Sequence, residues 1–261
     1  MLDPRILSDT AEIAARRAGA MLRDKWSQPR QTTSKGFRDI VTDSDFASQQ
    51  IIAETILSRF PDHGFLAEEE DSKLPTSGPV IWIVDPIDGT TNFSREIPAV
   101  CISIGAMVAN QIVAGIVYDP LRDELFHAAR DHGAFLNGKP IAVSTVTGGE
   151  ATIWGMDFAR TRAERQLLFD AILRYGHEVR SIRGIGAAAL GLAWLAAGRI
   201  DIYLNFTLSA WDVAAAHLLI EEAGGTITCA DGTPWTPAQS KRGILASNGQ
   251  EHAAIRQQIN P

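Results

Sequence analysis

The sequence predicts a mixed α/β protein, with an α+β amino-terminal half and an α/β carboxy-terminal half. Three observations carry this. Between residues 100 and 136, short β-branched runs are broken by turn residues at hairpin spacing, the pattern of an antiparallel sheet. Beyond residue 150, strand-like apolar runs alternate with helical patterns, as in α/β units. Between the two, residues 144–150 shift to Thr, Gly and Ser, which sets a boundary and divides the chain into 1–145 and 146–261.

The first half opens on an amphipathic helix. Ile6, Ile13 and Leu22 recur with small residues Ala14, Ala18 and Ala20 between them, and Pro29 lies just beyond. Residues 35–39 form a charged, glycine-containing hairpin or loop. Ile40-Val41-Thr42 then leads to Asp43-Ser44-Asp45, which opens a second helix reaching about Arg59, with Asp43 or Ser44 as its N-cap. After the turn at residues 60–64, Phe65-Leu66-Ala67 runs into four successive acids, Glu68 to Asp71. Such a run is usually a solvated loop, but its first member follows directly on an apolar stretch and can project from a strand end into a site. Residues 80–84 read as a buried strand. Strands follow at 100–108, 111–118, 124–129 and 134–136; His127 and His132 lie among them without metal-ligand spacing, so structural or surface roles are expected.

In the second half, residues 153–156 read as a strand, 162–175 as a helix and 179–182 as a strand. Residues 187–197 form a nearly all-apolar helix that should be buried, and 200–204 a further strand. Ala210-Trp211-Asp212 opens a helix with Ser209 as N-cap, ended by Gly224-Gly225. Strands at 226–229 and 243–246 and a helix at 250–259 close the chain.

Composition narrows the function. The 261 residues are 45% hydrophobic and 21% charged, an ordinary globular balance able to bury a sizeable core. A net charge of −7 argues against broad nucleic-acid binding, which needs a basic face. Cys101 and Cys229 lie in apolar or strand-like runs and are expected as buried free thiols. Asp3, Arg5, Asp9 and Glu12 stand where a secretory leader would need an apolar core. The longest apolar run, 184–198, is shorter than the ~20 residues that span a bilayer. A cytoplasmic protein without a membrane partner is expected.

The chemistry concentrates at Asp85-Pro86-Ile87-Asp88-Gly89-Thr90-Thr91-Asn92-Phe93. Two carboxylates follow the strand, with a proline to stiffen the turn. Gly89 lets the backbone approach a ligand, and Thr90-Thr91 set hydroxyls beside the N–H groups of a helix start. Carboxylates suit a hard cation such as Mg²⁺ and a helix start suits an anion, so the string points to metal and phosphate together.

These nine residues resemble the central signature of the inositol monophosphatase family, and the resemblance extends along nearly the whole chain. Lys35 with residues 39–45 is similar to the family's mobile loop and first acidic cluster, and Phe65-Leu66-Ala67-Glu68-Glu69 to its paired-glutamate segment. Arg183-Gly184-Ile185-Gly186-Ala187-Ala188 resembles a substrate-side segment, and Trp211-Asp212-Val213-Ala214-Ala215 the carboxy-terminal motif. The resemblance implies a layered αβαβα sandwich, a homodimer, a small phosphate monoester as substrate and two or three Mg²⁺ ions. Glu68, Asp85 and the Ile87 carbonyl would hold one ion, and Asp85, Asp88 and Asp212 a second. Asp45 would lie in the outer shell, near a third. Glu68, Thr90 and Asp45 would handle the attacking water. Gly89, Thr90, Thr91, Arg183, Gly186, Ala187, Asn205 and Asp212 would meet the substrate, and Lys35 and Asp39 would belong to the mobile loop. Lithium sensitivity is also implied.

One departure bears on substrate. Family members that act on inositol commonly carry a glutamate seven residues before the Trp-Asp aspartate; Asn205 stands there, with Asp157 as the alternative reader of substrate hydroxyls. Histidinol phosphate, fructose 1,6-bisphosphate and adenosine 3′,5′-bisphosphate are the competing substrates on the same scaffold. A regulatory, protein-binding role is the alternative from another class.

Overall fold

The computed structural model describes residues 2–29, 32–36, 39–238 and 242–259, with residues 35, 36 and 39 as backbone only. Helix α1 (Pro4–Lys25) starts at an Asp3 cap and carries its buried residues, Leu7, Ala11, Ala14, Ala18 and Leu22, on one stripe. A short antiparallel hairpin, β1 (Thr32–Gly36) and β2 (Asp39–Thr42), leads into α2 (Asp43–Arg59). The expected hairpin is thus present. Its tip, residues 37 and 38, and the side chains of Lys35 and Asp39 lie outside the described residues. The N-cap of α2 is Thr42, not Asp43 or Ser44: Asp45, in the third helical position, closes a capping box with it.

Strand β3 (Gly64–Ala67) pairs in parallel with β4 (Ile81–Asp88), and the short α3 (Thr90–Ser94) follows. The strand expected to end before Asp85 instead runs through Asp88, with a bulge between Asp85, opposite Ser103, and Asp88, opposite Cys101. Pro86 falls in that interruption, where no ladder N–H is needed. Strands β5 (Cys101–Val108), β6 (Gln111–Asp119), β7 (Glu124–Ala129), β8 (Ala134–Leu136) and the two-residue β9 (Lys139–Pro140) continue as an antiparallel meander, completing a seven-stranded sheet in chain order from β3 to β9.

The second sheet has five strands. β10 (Ile153–Met156) is followed by α4 (Arg162–Tyr175), β11 (Ser181–Gly184), α5 (Ala188–Ala196), β12 (Ile202–Leu208), α6 (Ala210–Glu222), β13 (Thr226–Cys229), β14 (Arg242–Ser247) and α7 (His252–Ile259). The order is β11-β10-β12-β14-β13, parallel among the first three and antiparallel thereafter.

Alternation along the strands builds the layers. Trp82 and Val84 of β4 pack with α1 and α2, whereas Ile83 packs with α5 and α6. In the second sheet Tyr203, Ile244 and Ala246 face α5 and α6, while Ile202, Leu204 and Leu245 pack with α4 and α7. The layers therefore read α1/α2, seven-stranded sheet, α5/α6, five-stranded sheet, α4/α7: the expected αβαβα sandwich. Both cysteines are buried free thiols. Among the described residues, no helix is long and apolar enough to cross a membrane.

Candidate metal and phosphate site

Period two along β4 places Asp85 on the same face as Ile83, toward the α5/α6 layer. Ser103, opposite Asp85, donates its hydroxyl to the Trp211 carbonyl at 2.9 Å, which fastens the start of α6 to this face. Two close approaches allow it: a Cβ on Gly105 would lie 3.0 Å from Ala214 Cβ, and one on Gly115 2.5 Å from the Ala215 carbonyl. Asp212 is thereby carried to Asp85 and Asp88, and ligand atoms of the three lie within 4.8 Å of one another. Asp212 also accepts from Ser209 N at 2.7 Å, so the same carboxylate caps its helix. Glu68 joins from the end of β3, its N–H donating to the Val84 carbonyl at 3.0 Å and its side chain reaching the Asp85 carboxyl.

Burial and mutual repulsion govern these acids. Asp85 is 2% exposed, and burial, then Glu68, Asp88 and Asp212, push its carboxyl well above the usual range. Burial raises Asp88 to about 7 against the hydrogen bonds that favour its charged form. Asp212 is raised to about 7 by burial and by Asp88, against the Ser209 amide and the positive charge of Arg160. Buried carboxylates this close are stabilised by a cation, and an all-oxygen donor set fits a hard divalent ion.

Asp88 is gripped by the start of α5: Oδ1 accepts from Ala188 N at 3.0 Å, and Oδ2 from Ala189 N at 2.8 Å, Leu190 N at 3.3 Å and Cys101 Sγ at 3.4 Å. Asp45, fully buried, accepts from Thr42 N and Oγ1 through Oδ2. Its Oδ1 lies 3.0 Å from Thr90 Oγ1, which is also 3.1 Å from the Ile87 carbonyl, so one hydroxyl proton can serve either. Capping and a place beside Thr90 are thus both roles of Asp45. Gly89, with φ +91, caps α3; its added Cβ would lie 2.9 Å from the Ala99 carbonyl. The first N–H groups of α3 have no acceptor within their own helix.

The remaining expected substrate residues are spread over β11, the turn before α5, β12 and α3. Arg183 is exposed, and its guanidinium donates to the Ile182 carbonyl. Gly186 and Ala187 form the turn before α5. Asn205 is buried in β12, where Oδ1 accepts from Thr207 N at 2.8 Å across the strand's irregularity. Asp157, its carboxyl raised by burial to about 6, accepts from Ile185 N at 2.8 Å, from Gly186 N, and from the Tyr203 hydroxyl at 2.7 Å. Thr91 is exposed on α3.

Three supporting residues were not singled out from the sequence. Ser48 donates to the Pro86 carbonyl at 2.8 Å, and Gln49 exchanges hydrogen bonds with the Glu69 backbone. With Asp45 they occupy one face of α2 at i, i+3 and i+4, so polar residues at core-facing spacing were the available signal. Asn92 donates to the Ala99 and Ile185 carbonyls at 2.8 and 3.0 Å. A separate cavity of about 600 Å³, lined by Asp3, Arg5, His127 and His132 among others, shares no residue with the acid cluster.

Known proteins resemble this chain along nearly its whole length. The family model described as "Inositol monophosphatase family" matches residues 3–260. Inositol-1-monophosphatase of Synechocystis is 35% identical over 99% of this chain and 91% of its own length. Nus factor SuhB of Escherichia coli K12 is 36% identical over 82% of each chain. The crystal structure of the extragenic suppressor protein SuhB from Bartonella henselae superposes with a TM-score of 0.92 at 32% identity, covering 98% of each chain.

Proposed function

The chain belongs to the inositol monophosphatase family of phosphoric monoester hydrolases, and from that premise we propose that it is a Mg²⁺-dependent hydrolase of small phosphate monoesters with broad tolerance for the alcohol. The observation that carries this is the buried Asp85–Asp88–Asp212 cluster with the Thr90–Asp45 pair beside it. Asp85 would be shared between two ions, with Glu68 and the Ile87 carbonyl completing one and Asp88 and Asp212 the other; a third would sit near Glu68 and Asp45. When bound, such ions neutralise phosphate, acidify water and stabilise the leaving oxygen. Thr90 passes a proton to Asp45 as it takes one from the attacking water, which Glu68 orients. The N–H groups of Gly89, Thr90 and Thr91 are offered to the phosphate oxygens. The water oxygen bonds to phosphorus as the P–O ester bond breaks, and the leaving oxygen takes a proton from a second water, so the alcohol departs with no covalent enzyme intermediate.

The tolerance follows from what the alcohol would meet. Asn205 is neutral and its Oδ1 is held by Thr207 N; Asp157 spends both oxygens on protein donors. Neither gives a polyol a charged acceptor that is not already engaged by a protein donor, and an unengaged one would be worth ~1.5–3 kcal/mol or about tenfold and more in discrimination. Phosphate release with Mg²⁺ and with chelator, across inositol 1-phosphate, glycerol 2-phosphate, histidinol phosphate, fructose 1,6-bisphosphate and adenosine 3′,5′-bisphosphate, tests the reading. Comparable kcat/KM values are expected, with inositol 1-phosphate rising in Asn205→Glu. A hundredfold wild-type preference for inositol 1-phosphate that the mutation leaves unchanged would refute it. In the same assay Li⁺ should inhibit uncompetitively, and sedimentation should find a dimer.

The relatives named Nus factor SuhB favour a second reading, a regulatory role through a protein partner. Asp85→Asn separates the two, since a regulatory role would survive loss of turnover.

A further inference from the structure

Three residues from different segments fasten one turn. Asp157, just after β10, takes the Ile185 and Gly186 amides and the Tyr203 hydroxyl. Asn92 of α3 donates to the Ile185 carbonyl. Gly186, at φ +77, packs so closely on Asn92 that a Cβ would lie 2.8 Å from its amide nitrogen, and a Cβ on Gly89 would stand 3.1 Å from the Gly186 carbonyl. From this turn the chain passes directly into α5 at Ala188, and the helix's first three amides hold Asp88. The distribution of those bonds matters. Oδ2 of Asp88 faces three donors, whereas Oδ1 faces one and, as a carboxylate oxygen with two lone pairs, keeps one for a cation.

We infer that Asp157 is a positioning residue for this site: by holding residues 185 and 186 it sets the start of α5, and through the α5 amides it fixes the Asp88 carboxylate so that Oδ1 stays available to a metal ion. This deepens the phosphatase reading and rests on it. Asp157 makes no hydrogen bond to the acids of the cluster, but its charge also repels Asp88 through space. Asp157→Asn removes that charge as fully as Asp157→Ala does, so only the backbone-carried part of its influence is restored by Asn. Removing an outer partner that orients a metal ligand typically costs ~10–100-fold in metal affinity or activity.

The test measures Mg²⁺ binding to the full chain by calorimetry without substrate, together with amide hydrogen exchange at residues 185–190, Tm, and kcat against KM. Asp157→Ala leaves three donors without their acceptor. It should weaken Mg²⁺ binding ~10–100-fold and speed exchange at Ala188, Ala189 and Leu190. Asp157→Asn should restore most of the affinity, because its oxygen can still accept from both amides while its NH₂ donates to the Tyr203 oxygen. A purely architectural role would lower Tm and leave Mg²⁺ affinity at the wild-type value, and that result overturns the inference. Should Asp157→Ala fail to fold, Tyr203→Phe removes one bond only; a smaller loss of affinity supports the role, and unchanged affinity and exchange overturn it. Wild type that binds Mg²⁺ yet releases no phosphate would defeat the phosphatase reading and leave the comparison of variants valid.

Discussion

Asp85 is surrounded by Glu68, Asp88 and Asp212 in a place almost closed to water, so without a cation the protein is strained electrostatically at its own centre. Asp85→Asn should abolish Mg²⁺-dependent turnover while raising the Tm of the metal-free protein, because one of several crowded carboxyls becomes neutral. Near-wild-type turnover in Mg²⁺ would contradict the shared-ligand role. A pH dependence has the same origin. Folded-state pKa values of about 7 for Asp88 and Asp212 exceed the ordinary 3.8, so between these limits the folded state holds more protons than the unfolded. The metal-free protein should therefore be more stable at pH 5 than at pH 8. Stability falls as pH rises toward and through ~7, by ~1.4 kcal/mol per pH unit for each proton that only the folded state retains. Thermal melts in chelator across this range check the sign, and saturating Mg²⁺ should flatten or reverse the slope. The acids themselves were legible because carboxylates in a fixed string announce their chemistry. Ser48, Gln49 and Asn92 were not, since each acts by binding another segment's backbone, and a lone sequence does not say which segments meet.

At the scale of elements, the strands of the meander were readable almost to the residue: β-branched runs between turn dipeptides leave little freedom in register. The carboxyl-edge strands were less so. β11 lies two residues later than the expected 179–182, and β12 continues to Leu208 where 204 was expected. Both are set by pairing with β10 and β14, partners distant in sequence. β4 overran its apolar stretch because Asp85 and Asp88 are tolerated in a strand that ends in a polar site. The seam between the seven-stranded sheet and α6 depends on Gly105 and Gly115, whose lack of side chains lets the helix bring Asp212 down. Gly115→Ala puts a methyl against the Ala215 backbone. It should destabilise by ~1–3 kcal/mol, as overpacking does, and weaken Mg²⁺ binding in calorimetry. The control Gly138→Ala, at a hairpin tip with open space around it, should cost stability only through its φ of +74 and leave Mg²⁺ affinity unchanged.

For the whole molecule, the boundary near residues 144–150 separates the two sheets but not two independent cores. Ile83, Cys101 and Val117 from the first half share one cluster with Leu192, Val213 and Leu219 from the second. Residues 1–145 alone would expose the sheet face that α5 and α6 cover, so this fragment should not fold by itself, and the full chain should unfold in one transition by circular dichroism and tryptophan fluorescence. Two separated transitions would show that the halves are autonomous. The layer order was legible only through the family resemblance; alternation of apolar residues gives the faces of each strand, not which helix covers them. The acid cluster is assembled from segments as far apart in the chain as Asp85 and Asp212. Such contacts are costly in loop closure and form late. The chain therefore has no cation site until its topology is complete, and Mg²⁺ should act on the clock of unfolding alone. In stopped-flow experiments the refolding rate should be the same with or without the ion, while unfolding slows as the ion concentration rises.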